Sequence, residues 1–210
     1  MKRYATSTLF FLPLLTALLL TGSCGSSNNA GSWTALFDGE SLEGWRIIPG
    51  GQWRVEQGLI IGTSTPDEPR HGILLTEERY GDFRLRLEFK CLKGNSGLYF
   101  RVDTVKSAVS VNGFQAEIDQ EKDIGGLYET GGRQWVVQPS PEQVESFFVK
   151  GEWNTMAVSA LGRQVTVEVN GVVTAQLSDD PGRTEGFIGL QLHGNMEMLV
   201  MFRNIEIQIL

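Results

Sequence analysis

Gly94-Asn-Ser-Gly-Leu-Tyr-Phe-Arg101 and Gly113-Phe-Gln-Ala-Glu-Ile-Asp119 are the two stretches of the chain that decide its fold. Side chains of a β-strand alternate between its two faces. One face of these strands is apolar and carries Leu98, Phe100, Val102, Phe114, Ala116 and Ile118. The other face is polar and carries Tyr99, Arg101, Gln115, Glu117 and Asp119. This pattern predicts two strands that pack a core with one face and form the floor of a polar groove with the other.

Short alternating runs with turn residues between them continue through the rest of the chain. Phe83 to Lys90 alternates without a break, and Glu56-Gln57-Gly58 separates two short strands. Asn170-Gly171 lies between β-branched runs, a strong hairpin signal because both turn residues need a positive φ. Glycine is abundant at 25 residues, and no long amphipathic helical pattern is present. The body of the chain, residues 33–210, is therefore predicted to be one all-β sandwich.

The N-terminal segment reads as a targeting signal. Residues 1–23 combine a basic pair with an apolar run that is too short for a membrane span. Leu20-Thr-Gly-Ser-Cys24 resembles the lipobox of bacterial lipoproteins, and residues 24–32 have the composition of a flexible tether. We expect an exported protein of the bacterial cell envelope, anchored through lipid on Cys24 in the outer membrane or the periplasm. An ordinary signal peptide, cut near residue 23, is the alternative.

Cysteine content and charge limit the classes of partner. The chain has 2 Cys, so with Cys24 acylated Cys91 stands alone as a buried apolar residue, and no internal disulfide is expected. The formal net charge is -7, and no basic stripe is present for a phosphate backbone to follow. These features exclude nucleic acid as a partner and are compatible with a neutral sugar. The oligomeric state stays open.

Nine short motifs, in order along residues 33–210, carry a family resemblance. They are Leu36-Phe-Asp-Gly-Glu-Ser-Leu-Glu-Gly-Trp45, Trp53-Arg-Val-Glu-Gln-Gly-Leu-Ile60, Glu88-Phe-Lys90, Gly94 to Arg101, Gly126-Leu-Tyr-Glu129, Trp153-Asn154, Val169-Asn-Gly171, Gly189-Leu-Gln-Leu-His193 and Phe202-Arg-Asn-Ile205. Together they are similar to the bacterial 3-keto-disaccharide hydrolase domain. The resemblance implies a concanavalin-like jelly-roll β-sandwich of two curved antiparallel sheets. It also implies action on glucosides oxidised to a ketone at C3, as 3-keto-glucoside 1,2-lyase or as hydratase of the resulting glucal.

That chemistry needs three groups. A ketone at C3 acidifies the proton on C2, so a base can remove it and the substituent on C1 then leaves by β-elimination. The reaction needs a base near C2, a donor or cation near O3 and an acid near the leaving oxygen. We expect His193 and Glu117 to serve as base and acid, in an order that stays open, and Arg101 to stabilise the enolate. The alternative, purely structural interpretation is that Arg101 forms an ion pair with Glu117 or Glu88.

Further polar and aromatic residues are candidates for sugar binding. They are Glu88, Tyr99, Gln115, Tyr128, Glu129, Arg133 and Gln191, and Trp135 lies in the same glycine-rich loop as three of them. No cofactor is certain. A divalent metal is possible, with Asp119 beside Glu117 and His193 as ligands, although no compact metal-binding spacing is present.

Two other functions share these residues. Glu117-Ile-Asp119-Gln-Glu121 resembles the Glu-x-Asp-x-Glu motif of concanavalin-like endoglucanases, in which alternate carboxylates on one strand perform glycoside hydrolysis. A noncatalytic carbohydrate-binding module is the other alternative, because lectin-like folds host such modules.

Overall fold

The computed structural model describes residue 1 and residues 31–107 and 109–210. The predicted signal segment, Cys24 and all but the end of the tether lie outside the described residues. The described elements are fifteen strands and one helix: β1 Trp33–Ala35, β2 Trp45–Ile48, β3 Gln52–Glu56, β4 Leu59–Ser64, β5 Gly72–Thr76, β6 Phe83–Lys93, β7 Asn95–Thr104, β8 Val111–Asp119, β9 Leu127–Thr130, β10 Gln134–Val137, α1 Pro141–Phe147, β11 Asn154–Leu161, β12 Gln164–Val169, β13 Val172–Leu177, β14 Phe187–Leu192 and β15 Met198–Ile209.

The strands form two antiparallel sheets. The groove sheet has seven strands in the order β10-β9-β8-β7-β14-β5-β2. The back sheet has the order β13-β12-β11-β6-β15-β4-β3, with β1 paired to β15. This arrangement confirms the predicted all-β sandwich of two antiparallel sheets.

The core lies between the sheets because each sheet turns its apolar row inward. On β6, Phe83, Leu85, Leu87 and Phe89 are buried while the arginines between them point outward. Leu98 and Phe100 of β7 meet them from the groove sheet, and Phe83 packs edge-on against Phe100 at 6.4 Å between ring centroids. Burying each such side chain contributes on the order of 2 kcal/mol.

The predicted hairpins are present, with backbone angles that explain their sequences. Asn170 and Gly171 join β12 to β13 with φ values of 50° and 79°. Gln57 and Gly58 join β3 to β4 with φ values of 53° and 77°. Positive φ at both turn residues matches the right-handed twist of the strands, as the Asn-Gly signal indicates.

The predicted alternation on β7 ends at a β-bulge. Phe100 pairs with Phe114 and Asp103 with Asn112, so Arg101 and Val102 oppose the single residue Gly113. Arg101 takes φ 50°, and Val102 joins a second apolar cluster on the outer side of the sheet. The prediction that Val102 faces the core is wrong because the extra residue reverses the alternation.

One short helix was not expected from the sequence. Ser140 caps α1 by accepting a hydrogen bond from the backbone N–H of Gln143, whose side chain accepts one from the backbone N–H of Ser140. Val144 and Phe147 bury the inner face of the helix. Seven residues are too few to give a clear helical period, which is why only the capping box marks it. None of the helices in the described part of the chain has the length and apolarity needed to cross a membrane.

Candidate functional site

A cavity of about 550 Å³ lies on the outer face of the groove sheet. The strand register builds its floor in rows of neighbouring side chains. Tyr99, Gln115, Tyr128 and Trp135 pair in turn across β7 to β10. In the next row Gly97 pairs with Glu117, and in the third Asn95 pairs with Asp119. Gln191, His193 and His71 line the side formed by β14 and β5. The groove predicted from the sequence is therefore present, with its polar row on β7, β8 and β14.

Glu117 is the buried carboxyl group at the centre of this floor. The residue is 6% exposed. Asn95 Nδ2 donates to Oε1 at 2.5 Å, and Gln115 Nε2 donates to Oε2 at 2.9 Å. Burial raises the pKa of Glu117 to about 8, despite the hydrogen bond from Asn95, and the charges of Asp119 and Asp123 raise it further. Glu117 is therefore a carboxyl group that holds its proton at neutral pH.

Neutral side chains extend from Glu117 across the floor as a hydrogen-bonded network. Gln115 Nε2 also donates to Gln191 Oε1 at 3.1 Å, and Gln191 Nε2 donates to the Tyr99 hydroxyl at 2.9 Å. Thr130 Oγ1 lies 3.4 Å from both the Tyr99 hydroxyl and Gln115 Oε1. Burial raises the pKa of Tyr99 well above its usual value. The floor thus offers fixed neutral donors and acceptors, which suit the hydroxyl groups of a sugar.

Gly97 leaves space in the floor for this network. A Cβ at Gly97 would lie 2.3 Å from Gln115 Nε2 and 2.6 Å from Gln115 Cγ. The Gln115 side chain therefore occupies the space that any side chain at position 97 would need. The glycine that interrupts the alternating pattern of β7 is required at this position by the close approach of Gln115.

Two histidines face each other at one end of the groove. The rings of His71 and His193 are 4.2 Å apart between centroids, at an interplanar angle of 66°. His193 Nδ1 lies 2.7 Å from the carbonyl oxygen of Gly194. A carbonyl only accepts, so in the neutral ring Nδ1 carries the proton and Nε2 keeps its lone pair. Burial and the charge of His193 lower the pKa of His71 to about 4, so His71 is neutral at pH 7.

Charged residues from the end of β8 form the acidic side of the groove. Asp119 accepts hydrogen bonds from Asn95 Nδ2 at 3.2 Å and from the backbone N–H of Glu121 at 2.6 Å. Lys122 and Asp123 also line the groove, with 3.8 Å between their charged atoms. Across residues 31–107 and 109–210, no three His, Cys, Asp or Glu side chains form a cluster that would hold a metal ion. The metal ligand set considered above, Glu117 with Asp119 and His193, is not such a cluster.

Arg101 does not line the groove, and the prediction that it faces the substrate is wrong. Its guanidinium is 1% exposed and donates to the carbonyl oxygens of Gly81, Gly162 and Arg183, at 3.0 Å for Gly81, 2.8 Å for Gly162 and 3.2 Å for Arg183. It also pairs with Asp82 Oδ1 at 3.0 Å. The bulge on β7 turns this side chain away from the polar row. Arg101 joins loops of the sandwich instead of stabilising an enolate.

Three predicted binding residues also lie outside the groove lining. Glu88 lies on β6 of the back sheet, where it accepts hydrogen bonds from Arg203 and Asn204. Glu129 pairs with Arg133, and Arg133 also pairs with Asp180 through contacts of 2.6 and 3.0 Å. Glu129 lies on β9 and Arg133 in the turn between β9 and β10, where Arg133 forms ion pairs with both Glu129 and Asp180. The remaining predicted residues line the groove: His193, Glu117, Asp119, Tyr99, Gln115, Tyr128 and Gln191.

Five polar side chains of the groove were not predicted to act in the site: Asn95, His71, Lys122, Asp123 and Thr130. Asn95 could have been found, because it stands four residues before Tyr99 on the same face of the strand. His71 and Lys122 lie outside strands, so no periodic pattern places them. Glu121, the third carboxylate of the endoglucanase motif, is exposed and lies 3.6 Å from Lys150, because β8 ends at Asp119 and the alternation ends with it.

The fold defines a class of protein: a galectin-like, jelly-roll β-sandwich of two antiparallel sheets. A family model described as a 3-keto-alpha-glucoside-1,2-lyase-like domain matches residues 32–208. The chain belongs to this family, which confirms the resemblance noted from the nine motifs. A comparison with curated proteins finds no match.

Solved structures share the fold at low sequence identity. A candidate glycosyl hydrolase from Parabacteroides distasonis ATCC 8503 has a TM-score of 0.63 and 23% identity, covering 86% of this chain and 94% of its own. The carbohydrate-binding module CBM66 from Bacillus subtilis has a TM-score of 0.61 and 18% identity, covering 79% and 95%. A Bacillus subtilis protein of unknown function with a galectin-like fold has a TM-score of 0.62 and 14% identity, covering 80% and 90%.

Proposed function

We propose that this protein cleaves 3-keto-glucosides by removing the proton from C2 and eliminating the substituent on C1. The observation that carries the proposal is the buried Glu117, whose pKa burial raises to about 8, on the floor of a neutral hydrogen-bonding groove that His193 also lines. Glu117 lies on β8 and His193 directly follows β14, and these two strands flank β7 in the sheet. Two strand spacings amount to about 10 Å, enough for a sugar ring between the two side chains.

His193 is the base in this proposal. Its Nδ1 proton is held by the carbonyl oxygen of Gly194, so Nε2 presents a lone pair to the substrate. Nε2 takes the C2 proton, and the electron pair of that C–H bond moves into the C2–C3 bond to give an enolate on O3. Lys122 at the rim is the charged donor available to that oxygen. Lys122 thus supplies the charge that Arg101 does not.

Glu117 is the acid. The enolate returns its electrons to form the C1=C2 double bond, the bond from C1 to the leaving oxygen breaks, and Glu117 donates its proton to that oxygen. The products are a 3-keto-glucal and the free alcohol. Addition of water across the C1=C2 bond then gives the 3-keto sugar and net hydrolysis. A carboxyl group protonated at neutral pH suits this role, as in other glycoside-cleaving sites.

The two steps can be separated with a substrate in deuterated water. The Glu117→Gln variant keeps the shape of the side chain but cannot donate a proton, so cleavage should fall by about 10²-fold or more. Deuterium should still enter C2, because His193 is intact. For a 3-keto-glucoside with a nitrophenolate leaving group, the cleavage rate of the Glu117→Gln variant should fall less, because that group departs without a proton.

The pH dependence gives an independent measurement. Because Glu117 acts in its protonated form, kcat/KM for an alkyl 3-keto-glucoside should fall as the pH rises through about 8. Glu121→Gln is the matched control, since Glu121 lies close in sequence but outside the groove. A rise in kcat/KM through the same pH range would make Glu117 the base and contradict the assignment.

Two outcomes would replace the proposal. Cleavage of an unoxidised β-glucan without exchange at C2, lost in Glu121→Gln, would establish the endoglucanase. Binding of sugars with no turnover of any 3-keto-glucoside would establish a carbohydrate-binding module, the function named for one structural relative.

A further inference from the structure

An aromatic surface lies on the β9–β10 side of the groove and has no part in the reaction proposed above. Trp135 lines the groove with 36% of its surface exposed. Tyr128, one strand inward, meets it edge to face, with ring centroids 5.3 Å apart at 87°. Tyr128 in turn pairs with Gln115 on the floor. The aromatic pair therefore continues the row that leads outward from the polar network around Glu117.

The backbone holds the Trp135 ring in place. A Cβ on Gly126 would lie 2.9 Å from Trp135 Cζ3, so the indole packs directly on the glycine. Gln134 takes φ 66°, and the register of β10 against β9 shifts between Trp135 and Val137. These irregularities lie on both sides of Trp135 and set the direction of its side chain. A large apolar ring that is fixed before binding loses little conformational entropy when a ligand packs on it.

We infer that Trp135 and Tyr128 form the subsite for the leaving group and that this subsite selects a neutral, ring-bearing aglycone. The inference rests on the proposed function, in which the C1 substituent leaves beside Glu117. A ring with an apolar face, whether an aryl group or a second sugar, can pack on the exposed indole. Asp119 and Asp123 give the groove negative charge, which opposes a phosphate or carboxylate on the leaving group.

Four 3-keto-glucosides test this inference: methyl, phenyl, a disaccharide and a phosphate-bearing alkyl compound. The wild-type protein should turn over the phenyl and disaccharide compounds with higher kcat/KM than the methyl compound, and the phosphate compound with lower kcat/KM. The Trp135→Ala variant should lose roughly tenfold in kcat/KM for the ring-bearing substrates. It should leave the methyl compound unchanged within about twofold. If kcat/KM of the Trp135→Ala variant falls more for the phenyl compound than for the disaccharide, the subsite favours an aryl leaving group. If it falls more for the disaccharide, the subsite favours a sugar.

Three variants separate the subsite from a general effect on folding. Trp33→Ala removes an indole that is also 36% exposed but lies on the back sheet, where Arg86 packs over it. It should not alter the ratio of phenyl to methyl turnover. Trp135→Phe should restore part of the ratio, and Gly126→Ala should lower it by displacing the indole. An equal loss for all substrates in Trp135→Ala would overturn the inference.

The ring subsite can also be tested if the proposed reaction does not occur. If wild-type protein turns over none of the 3-keto-glucosides, the binding of unoxidised phenyl and methyl glucosides is measured by calorimetry instead. Tighter binding of the phenyl glucoside, lost in Trp135→Ala and kept in Trp33→Ala, would support the ring subsite without the reaction. Equal binding of both glucosides would contradict the subsite.

Discussion

At the scale of single residues, Gly97 determines whether the hydrogen-bonded floor of the groove can form. The Gln115 side chain crosses above Gly97 to reach both Glu117 and Gln191. Gly97→Ala would place a methyl group within 2.6 Å of Gln115 Cγ, so Gln115 must leave its position. We expect a loss of about 1 to 3 kcal/mol in unfolding free energy, typical of an overpacked site. The rate of 3-keto-glucoside cleavage should also fall, because Glu117 loses one of its two amide donors.

Gly81→Ala is the matched control for this substitution. A Cβ at Gly81 meets its nearest atom, the carbonyl oxygen of Thr184, at 3.8 Å, an ordinary contact. Urea denaturation and steady-state kinetics on both variants provide the comparison. A Gly97→Ala protein with wild-type stability and rate would show that the network around Gln115 is dispensable.

At the scale of elements, the bulge on β7 gives Arg101 a structural role. Gly113 on β8 and Gly186, just before β14, make room for it, since a Cβ on either glycine would lie within 2.7 Å of the Arg101 backbone. Arg101→Met would leave the carbonyl oxygens of Gly81 and Gly162 without their donor. We expect a loss of about 1 to 3 kcal/mol in stability for each buried carbonyl oxygen left without a donor.

The activity of the folded fraction distinguishes this role from a catalytic one. At low temperature and without denaturant, kcat per folded molecule of Arg101→Met should stay close to the wild-type value, because the guanidinium is absent from the groove lining. The folded fraction is measured by far-ultraviolet circular dichroism on the same samples. If the Arg101→Met variant keeps wild-type stability but loses most of its kcat, Arg101 acts in the reaction and the structural role is contradicted.

At the scale of the whole molecule, the domain is predicted to be carried on a lipid anchor. The anchoring residue, Cys24, precedes a tether of small and uncharged residues, and the sandwich begins with β1 at Trp33. Cys24→Ser should move the protein from the membrane fraction to the soluble fraction of the producing bacterium, as followed by immunoblotting. The substitution lies well before β1, so the melting temperature of the domain serves as the control. Unchanged membrane association after a salt wash would contradict the anchor.

The sequence by itself determined the features that depend on local geometry. Alternation in Phe83 to Lys90 and in Phe114 to Asp119 follows from the two-residue period of any strand, so core and groove faces could be assigned without partners. Asn170-Gly171 indicated its hairpin because positive φ is a property of those residues. Glu117, Gln115, Tyr99, Gln191 and His193 were placed in the groove by the same period.

Only the tertiary structure decided what depends on neighbouring strands. The bulge at Arg101 arises where Gly113 and Gly186 leave room on both sides, and a period-two pattern continues through such a position unchanged. Glu88 lies away from the groove because its strand, β6, belongs to the back sheet. The raised pKa of Glu117 needs the burial of its side chain in the folded sheet, with the charges of Asp119 and Asp123 close by. Periodicity is a local property of the chain, whereas pairing partners, bulges and desolvation are set by residues far apart in sequence.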